Sequence, residues 1–233
     1  FYEPRWEGQF FRRGASLLFG SFFESNEAKK YSVSPEIIVR TFFNFYNGFS
    51  YRLSLRQSYR FNSKFSIAHR FSTNPRFNNI GYSYSDNSNE IIFARRNVNA
   101  VENILSAKYN FTNKMGITFR ARHYLSTVDN NDFFTLQNDG KLNANTTFNK
   151  NTNRNVNFFN IDMVYTWQFA PGSFINIVWK NSVIDSKEVV ERSYFKNFGN
   201  TMEVDQNNNL SLKVIYFLDY LQLKNLKKKK TSS

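Results

Sequence analysis

The sequence predicts an all-β chain: an antiparallel up-and-down transmembrane β-barrel of about ten strands, read as the C-terminal part of a larger barrel. Three observations predict it. One short pattern recurs as Tyr59-x-Phe61, Tyr109-x-Phe111 and Trp167-x-Phe169, each time followed by a tight polar turn and a fresh apolar alternation. Each recurrence joins two runs of strictly alternating residues, the period of a strand with two unlike faces. The chain also carries 27 Phe and 18% aromatic residues at a mean hydropathy of −0.55. A barrel reconciles those values, because alternate residues face lipid and the others face a wet lumen.

The elements follow in order. A piece near 5–12 adds a first strand, and further strands are expected at 15–24 and 31–45. The strand at 49–60 sets Phe49, Tyr51, Leu53, Leu55 and Tyr59 on one face, and Arg52, Arg56 and Arg60 on the other. Strands at 65–73 and 99–110 come next. Over 115–127, Ile117, Phe119, Ala121 and Leu125 oppose Thr118, Arg120, Arg122 and Tyr124. The strand at 156–168 presents Phe159, Ile161, Met163, Tyr165 and Trp167 to one side, and a strand at 173–183 follows it. In 208–220, Leu210, Leu212, Val214, Tyr216 and Tyr220 oppose Ser211, Lys213 and Asp219. A short hairpin, 79–84 with 90–96, is expected to extend one strand pair beyond the membrane. Long connections at 74–98, 128–155 and 184–206 are rich in Asn, Asp, Ser and Lys, as solvated loops are. Helix-period runs are missing. The barrel portion is assigned to 1–223, and residues 224–233 form a basic periplasmic tail read as disordered.

Composition removes several classes. No stretch reaches the length of a transmembrane helix. With no Cys, disulfides and thiolate-bound metals are excluded. The opening residues Phe1-Tyr2-Glu3-Pro4-Arg5 have neither a basic n-region nor an apolar h-region, so an export signal is expected upstream. The net charge of +13 is compatible with nucleic-acid binding, but much of it lies at one parity of the strands, and no nucleic-acid partner is expected.

That parity defines the candidate site. Arg40, Arg52, Arg56, Arg60, Arg70, Lys108, Arg120, Arg122, Lys180 and Lys213 fall inward, with Glu36, Glu102, Asp162 and Asp219 as acidic partners. An Arg facing lipid at the midplane costs about 2–4 kcal/mol, so these side chains belong in the lumen. Two readings stand: a solute path for anions, or hydrated and paired residues that fill the barrel. Tyr59, Phe61, Tyr109, Phe111, Trp167, Phe169 and Tyr220 are the expected membrane-interface aromatics. His69 and His123 fall on the outward parity, read as interfacial or shifted by a bulge. Asp129, Asp132 and Asp139 with Asn130, Asn131 and Asn138 read as one solvated loop, because their spacing is not that of a calcium loop. No catalytic residue, metal site or cofactor is expected, and the chain is not read as an enzyme.

Several stretches carry a family resemblance. They are Tyr2-Glu3-Pro4-Arg5 with Gly8, Phe11-Arg12-Arg13, Ala94-Arg95-Arg96-Asn97-Val98 and Arg120-x-Arg122-His123-Tyr124. Phe169-Ala170-Pro171-Gly172-Ser173, Val178-Trp179-Lys180-Asn181 and Ser211-Leu212-Lys213 with Tyr216 to Tyr220 complete the set. Together they resemble the C-terminal barrel of a family of Bacteroidota-type outer-membrane proteins. That family carries an N-terminal domain similar to family 9 carbohydrate-binding modules, followed by a barrel domain of unknown function. The resemblance implies that the sugar-binding-like domain and the first barrel strands lie outside this sequence.

The expected function is an outer-membrane channel, or a membrane anchor for a glycan-binding domain, with a basic lumen. The long loops are expected outside the cell and the C-terminus in the periplasm. Expected partners are outer-membrane lipid, glycans or anionic small solutes, and the barrel-assembly machinery. The alternative is a soluble β-barrel or lectin-like module that binds acidic glycans through its basic face.

Overall fold

A computed structural model describes residues 7–43, 46–85 and 90–218. Its elements are β1 (Ala15–Phe22), β2 (Tyr31–Phe43), β3 (Phe49–Arg60), β4 (Phe65–Thr73), β5 (Arg76–Ser85), β6 (Ile91–Thr112), β7 (Met115–Leu136), β8 (Leu142–Ala144), β9 (Arg154–Ala170), β10 (Ser173–Lys187), α1 (Tyr194–Met202) and β11 (Asn207–Ile215). The strands form one antiparallel sheet in the order β1-β2-β3-β4-β6-β7-β9-β10-β11. β5 pairs with β3 and β6, and β8 with β7. Among the described residues β1 pairs only with β2, and β11 only with β10, so these two strands stand at the ends of the sheet.

The turns are fixed by local chemistry. After β3, the Asn62 side-chain oxygen accepts from the backbone N–H of Lys64 and Phe65 at 2.8 and 2.9 Å. After β6, Thr112 Oγ1 accepts from the Lys114 N–H at 3.1 Å. After β9, Gly172 turns the chain with φ of 71°, a conformation that favours glycine. These short connections and residues 23–30 lie at one end of the sheet. The joins from β2 to β3, β4 to β6, β7 to β9 and β10 to β11 lie at the other.

Bounds at β3 and β4 coincide with the sequence expectation; elsewhere the structure differs. β6 and β7 each run 22 residues, about 70 Å at strand rise and twice what a tilted strand needs to cross a bilayer. Much of the expected loop 128–155 is therefore strand, and Asp129 and Asp132 sit on β7 facing Asn97 and Arg95. Only Asn138 and Asp139 of that acidic group fall in a turn. Most of 74–98 is strand, and the expected pairing of 79–84 with 90–96 is present as β5 against the first part of β6. No strand forms over 7–12, where Phe10 makes an isolated bridge and the Arg12 N–H donates to the Gly140 carbonyl at 2.9 Å.

The buried apolar core sits in this extension. Ile91, Phe93, Phe134 and Leu136 are buried together, and Phe11, Tyr46, Ile80, Tyr82 and Leu142 pack around them. Over the main sheet Leu125 and Val183 are also buried, but much of the apolar parity stays open: Leu105, Trp167 and Leu212 are 45, 39 and 66% exposed. The chain thus gathers its clustered core at the end with the long connections and leaves much of the apolar sheet face uncovered.

Candidate functional site

The register carries the basic residues to one face. Arg56 lies opposite Arg70 on β4, Lys108 on β6 faces Ser66 and Thr118, and Arg120 on β7 faces Asp162 on β9. Lys180 on β10 also faces Asp162, and Lys213 on β11 faces Asn176. Arg40 and Glu36 on β2 share the face with Ser50, Arg52 and Ser54. Arg60 closes the row at the short-turn end, its backbone N–H donating to the Lys30 carbonyl at 2.7 Å. Asp219 and Tyr220 lie outside the described residues.

Acids neutralise few of these cations. Arg122 donates from Nε to Glu102 at 2.6 Å and its Nη2 is also 2.6 Å from that carboxylate. Lys180 stands 4.0 Å from Asp162. Among the described residues no carboxylate comes within ion-pair distance of Arg40, Arg52, Arg56, Arg60, Arg70, Lys108, Arg120 or Lys213. Arg56 and Arg70 are like charges set directly opposite, an arrangement that destabilises a sheet.

Two further arginines join this face at the long-connection end. Arg76, at the start of β5, pairs with Ser50. Arg13, just before β1, places its guanidinium 4.5 Å from the Phe42 ring centre, and Arg40 sits 5.8 Å from the same ring. Arg13, Arg40, Arg52 and Arg76 line a cavity of about 340 Å³ with Asn74 and Asn79. A neighbouring cavity, also about 340 Å³, shares Arg52, Asn74 and Arg76 and adds Glu36, Arg70 and Glu102. Burial, and then the charges of Arg40 and Arg76, push the Arg13 guanidinium below its ordinary value. Sequence reading missed both residues because neither lies in an alternating run. The isolated Pro75 before Arg76 is a cue to a strand start.

The opposite face carries aromatics at the short-turn end. Ring contacts run Tyr59 to Phe61 (4.7 Å), Phe61 to Phe65 (4.8 Å), Phe65 to Tyr109 (6.0 Å) and Tyr109 to Phe111 (4.9 Å). Phe111 continues to Tyr165 at 6.5 Å. Trp167, Phe169 and Tyr216 extend the row at 6.1 and 6.2 Å. The turns place these rings side by side, because each aromatic-x-Phe shoulder ends a strand at the same edge.

Higher on this face the apolar parity gives way to Asn103, His123, Asn155 and Asn157, and α1 lies over them. The Asn103 amide donates to the Tyr194 hydroxyl at 2.8 Å, and that hydroxyl is 2.9 Å from His123 Nδ1. His69 Nε2 reaches Asn103 at 3.2 Å. Asn197 is fully buried and accepts from the amides of Asn155 and Asn157 at 2.7 and 3.1 Å. The two histidines are therefore not shifted by a bulge. They sit in regular register, His123 beneath α1 and His69 beside it, bonded to Asn103 and 3.3 Å from Gln57. This helix was not expected. Its residues are weak helix formers, and the Ser193 cap and tertiary contacts hold it in place. Among the described residues no group of three or more His, Asp or Glu stands close enough to hold a metal ion.

A family model described as a domain of unknown function (DUF5916) matches residues 1–227. The chain belongs to the DUF5916 family. No curated protein and no solved structure matches it. For this DUF5916 chain, then, the site rests on its own geometry: a face crowded with guanidinium groups, backed by a face of exposed aromatic and aliphatic side chains.

Proposed function

We propose that this DUF5916 chain forms the wall of an outer-membrane β-barrel, with its basic face toward a water-filled passage for anionic solutes. The carrying observation is the row of contacting aromatics at one edge of an exposed apolar face. An uncovered apolar surface of this breadth marks an interaction with lipid or protein. Aromatic rings collect where lipid meets water. The opposite parity, rich in unpaired Arg, suits a wet lumen and would be costly against hydrocarbon. In this orientation the short turns and the C-terminus face the periplasm, and the extension of β5 to β8 stands outside the cell. Lipid and the barrel-assembly machinery are then necessary partners, and further strands complete the closure. The resemblance to Bacteroidota-type proteins with a sugar-binding-like domain supports a second reading, in which the barrel anchors a glycan-binding module.

Planar-bilayer conductance of the full-length protein tests this. Anion-selective steps that invert in the charge-reversed Arg52→Glu/Arg56→Glu/Arg120→Glu variant are the expected result. A silent but stably inserted protein favours the anchor reading. A protein that stays monodisperse without detergent refutes both and favours the soluble, lectin-like alternative.

A further inference from the structure

We propose that Arg13, Arg40, Arg52, Arg70 and Arg76 form a recognition site for a small polyanion with two or more adjacent oxyanion groups, of the diphosphate or polycarboxylate class. The site rests on the reading above in one respect: the face that bears it is wet. The argument begins with charge. Five guanidinium groups line two cavities that share Arg52, Asn74 and Arg76, and so form one trough. The acids on the same walls are Glu36 and Glu102, and Glu102 is already held by Arg122. Among the described residues none of the five has a carboxylate within ion-pair distance. A monovalent anion leaves most of that charge uncompensated, whereas a polyanion meets several guanidinium groups at once.

Geometry selects the same class. Guanidinium forks match phosphate and carboxylate oxygens in pairs, which a point-charge ammonium does not. Arg13 and Arg40 are positioned before any ligand arrives, because both lie over the ring of Phe42, itself 9% exposed. Each cavity holds about 340 Å³, at the small end of ligand-pocket sizes, which fits a compact solute. A lipid headgroup carries the same phosphate chemistry. The cluster, however, lies on the face opposite the aromatic row, so a free solute is its occupant.

The test uses the full-length protein in neutral detergent micelles, titrated calorimetrically with inorganic pyrophosphate and with orthophosphate. Saturable binding is expected, at least tenfold tighter for pyrophosphate. Arg13→Gln/Arg76→Gln weakens it tenfold or more. Lys29→Gln/Lys114→Gln removes the same charge from connections at the other end of the sheet and changes affinity less than twofold. Should the glutamine pair fail to fold, Arg13→Lys/Arg76→Lys keeps the charge but not the fork, and is expected to weaken binding severalfold. Absent or unsaturable binding overturns the site, as does equal weakening by both glutamine pairs. Displacement of pyrophosphate by micelles doped with phosphatidic acid overturns the assignment to a free solute. Pyrophosphate binding by a protein silent in bilayers leaves this site standing and removes the channel. Anion-selective conductance without pyrophosphate binding does the reverse.

Discussion

Replacing Asn197 with alanine is expected to undock α1 from the sheet. The Asn197 side chain uses its whole hydrogen-bonding capacity. Its oxygen accepts from Asn155 and Asn157, and its nitrogen donates to the carbonyls of Glu191 and Ser193 at 2.7 and 2.9 Å. Asn155 and Asn157 are 2 and 0% exposed, so truncation strands two buried amides and the Glu191 carbonyl, while the Ser193 carbonyl keeps the Asn197 backbone N–H at 3.1 Å. Each stranded group costs about 1–3 kcal/mol, and the three share one site, so the total is about 3–5 kcal/mol rather than their full sum. A nine-residue helix has no stability of its own to offset that loss. The assay is hydrogen exchange of the α1 amides in the purified protein. A loss of about 3 kcal/mol raises exchange by more than a hundredfold. Phe195→Ala, at a side chain that is 82% exposed, serves as the control and leaves protection unchanged. Unaltered α1 protection in Asn197→Ala refutes the view that this amide docks the helix.

Two glycines should respond in opposite directions. Gly172→Ala forces a φ of 71° on a residue whose Cβ would lie 2.9 Å from the Cβ of Phe217, and should cost about 1–2 kcal/mol in urea unfolding. Gly199→Ala adds a methyl with nothing within 4 Å inside α1, and should raise α1 protection by about 1 kcal/mol. Acid should loosen the start of α1. The Lys196 ammonium and the Ser193 N–H hold the Glu191 carboxyl below its ordinary value of 4.5. The contribution is therefore complete above that value and lost as pH falls through the lower folded one. Exchange at α1 measured from neutral pH down through this window should show the loss, and Glu191→Gln should abolish the acid dependence. A double-mutant cycle of Arg122→Leu with Glu102→Gln should return a coupling of about 1 kcal/mol, because Arg122 is 40% exposed and water screens the pair.

The strands were legible where one face is apolar and the other polar. β3 and β4 alternate cleanly, and their expected bounds match the structure. Alternation fails where both faces are covered. Ile91 to Ala94 are all buried, so the first part of β6 reads as an apolar run without period. The run Asp129-Asn130-Asn131-Asp132 reads as loop by composition, yet ladder partners on β6 and the Arg95–Asp132 ion pair at 2.5 Å hold it extended. The parity of ten cations was visible from spacing alone; Asp219 and Tyr220 fall outside the described residues. Arg13 and Arg76 were not visible, because an arginine at a strand start carries no periodic signal. His69 and His123 were placed on the correct parity, but the helix over His123 was not visible, because it comes from a connection 71 residues further along the chain.

The path through the sheet has a consequence for how such a protein changes size. Each short turn closes a hairpin whose two strands are consecutive on that path, and the turn's own side chains set its register. A hairpin can therefore be gained or lost as a unit without disturbing the pairing inside its neighbours. The echoes at Tyr59, Tyr109 and Trp167 mark three such units. Sheet width is then a quantity that evolution, or a designer, can step two strands at a time while keeping the aromatic edge and the basic parity intact.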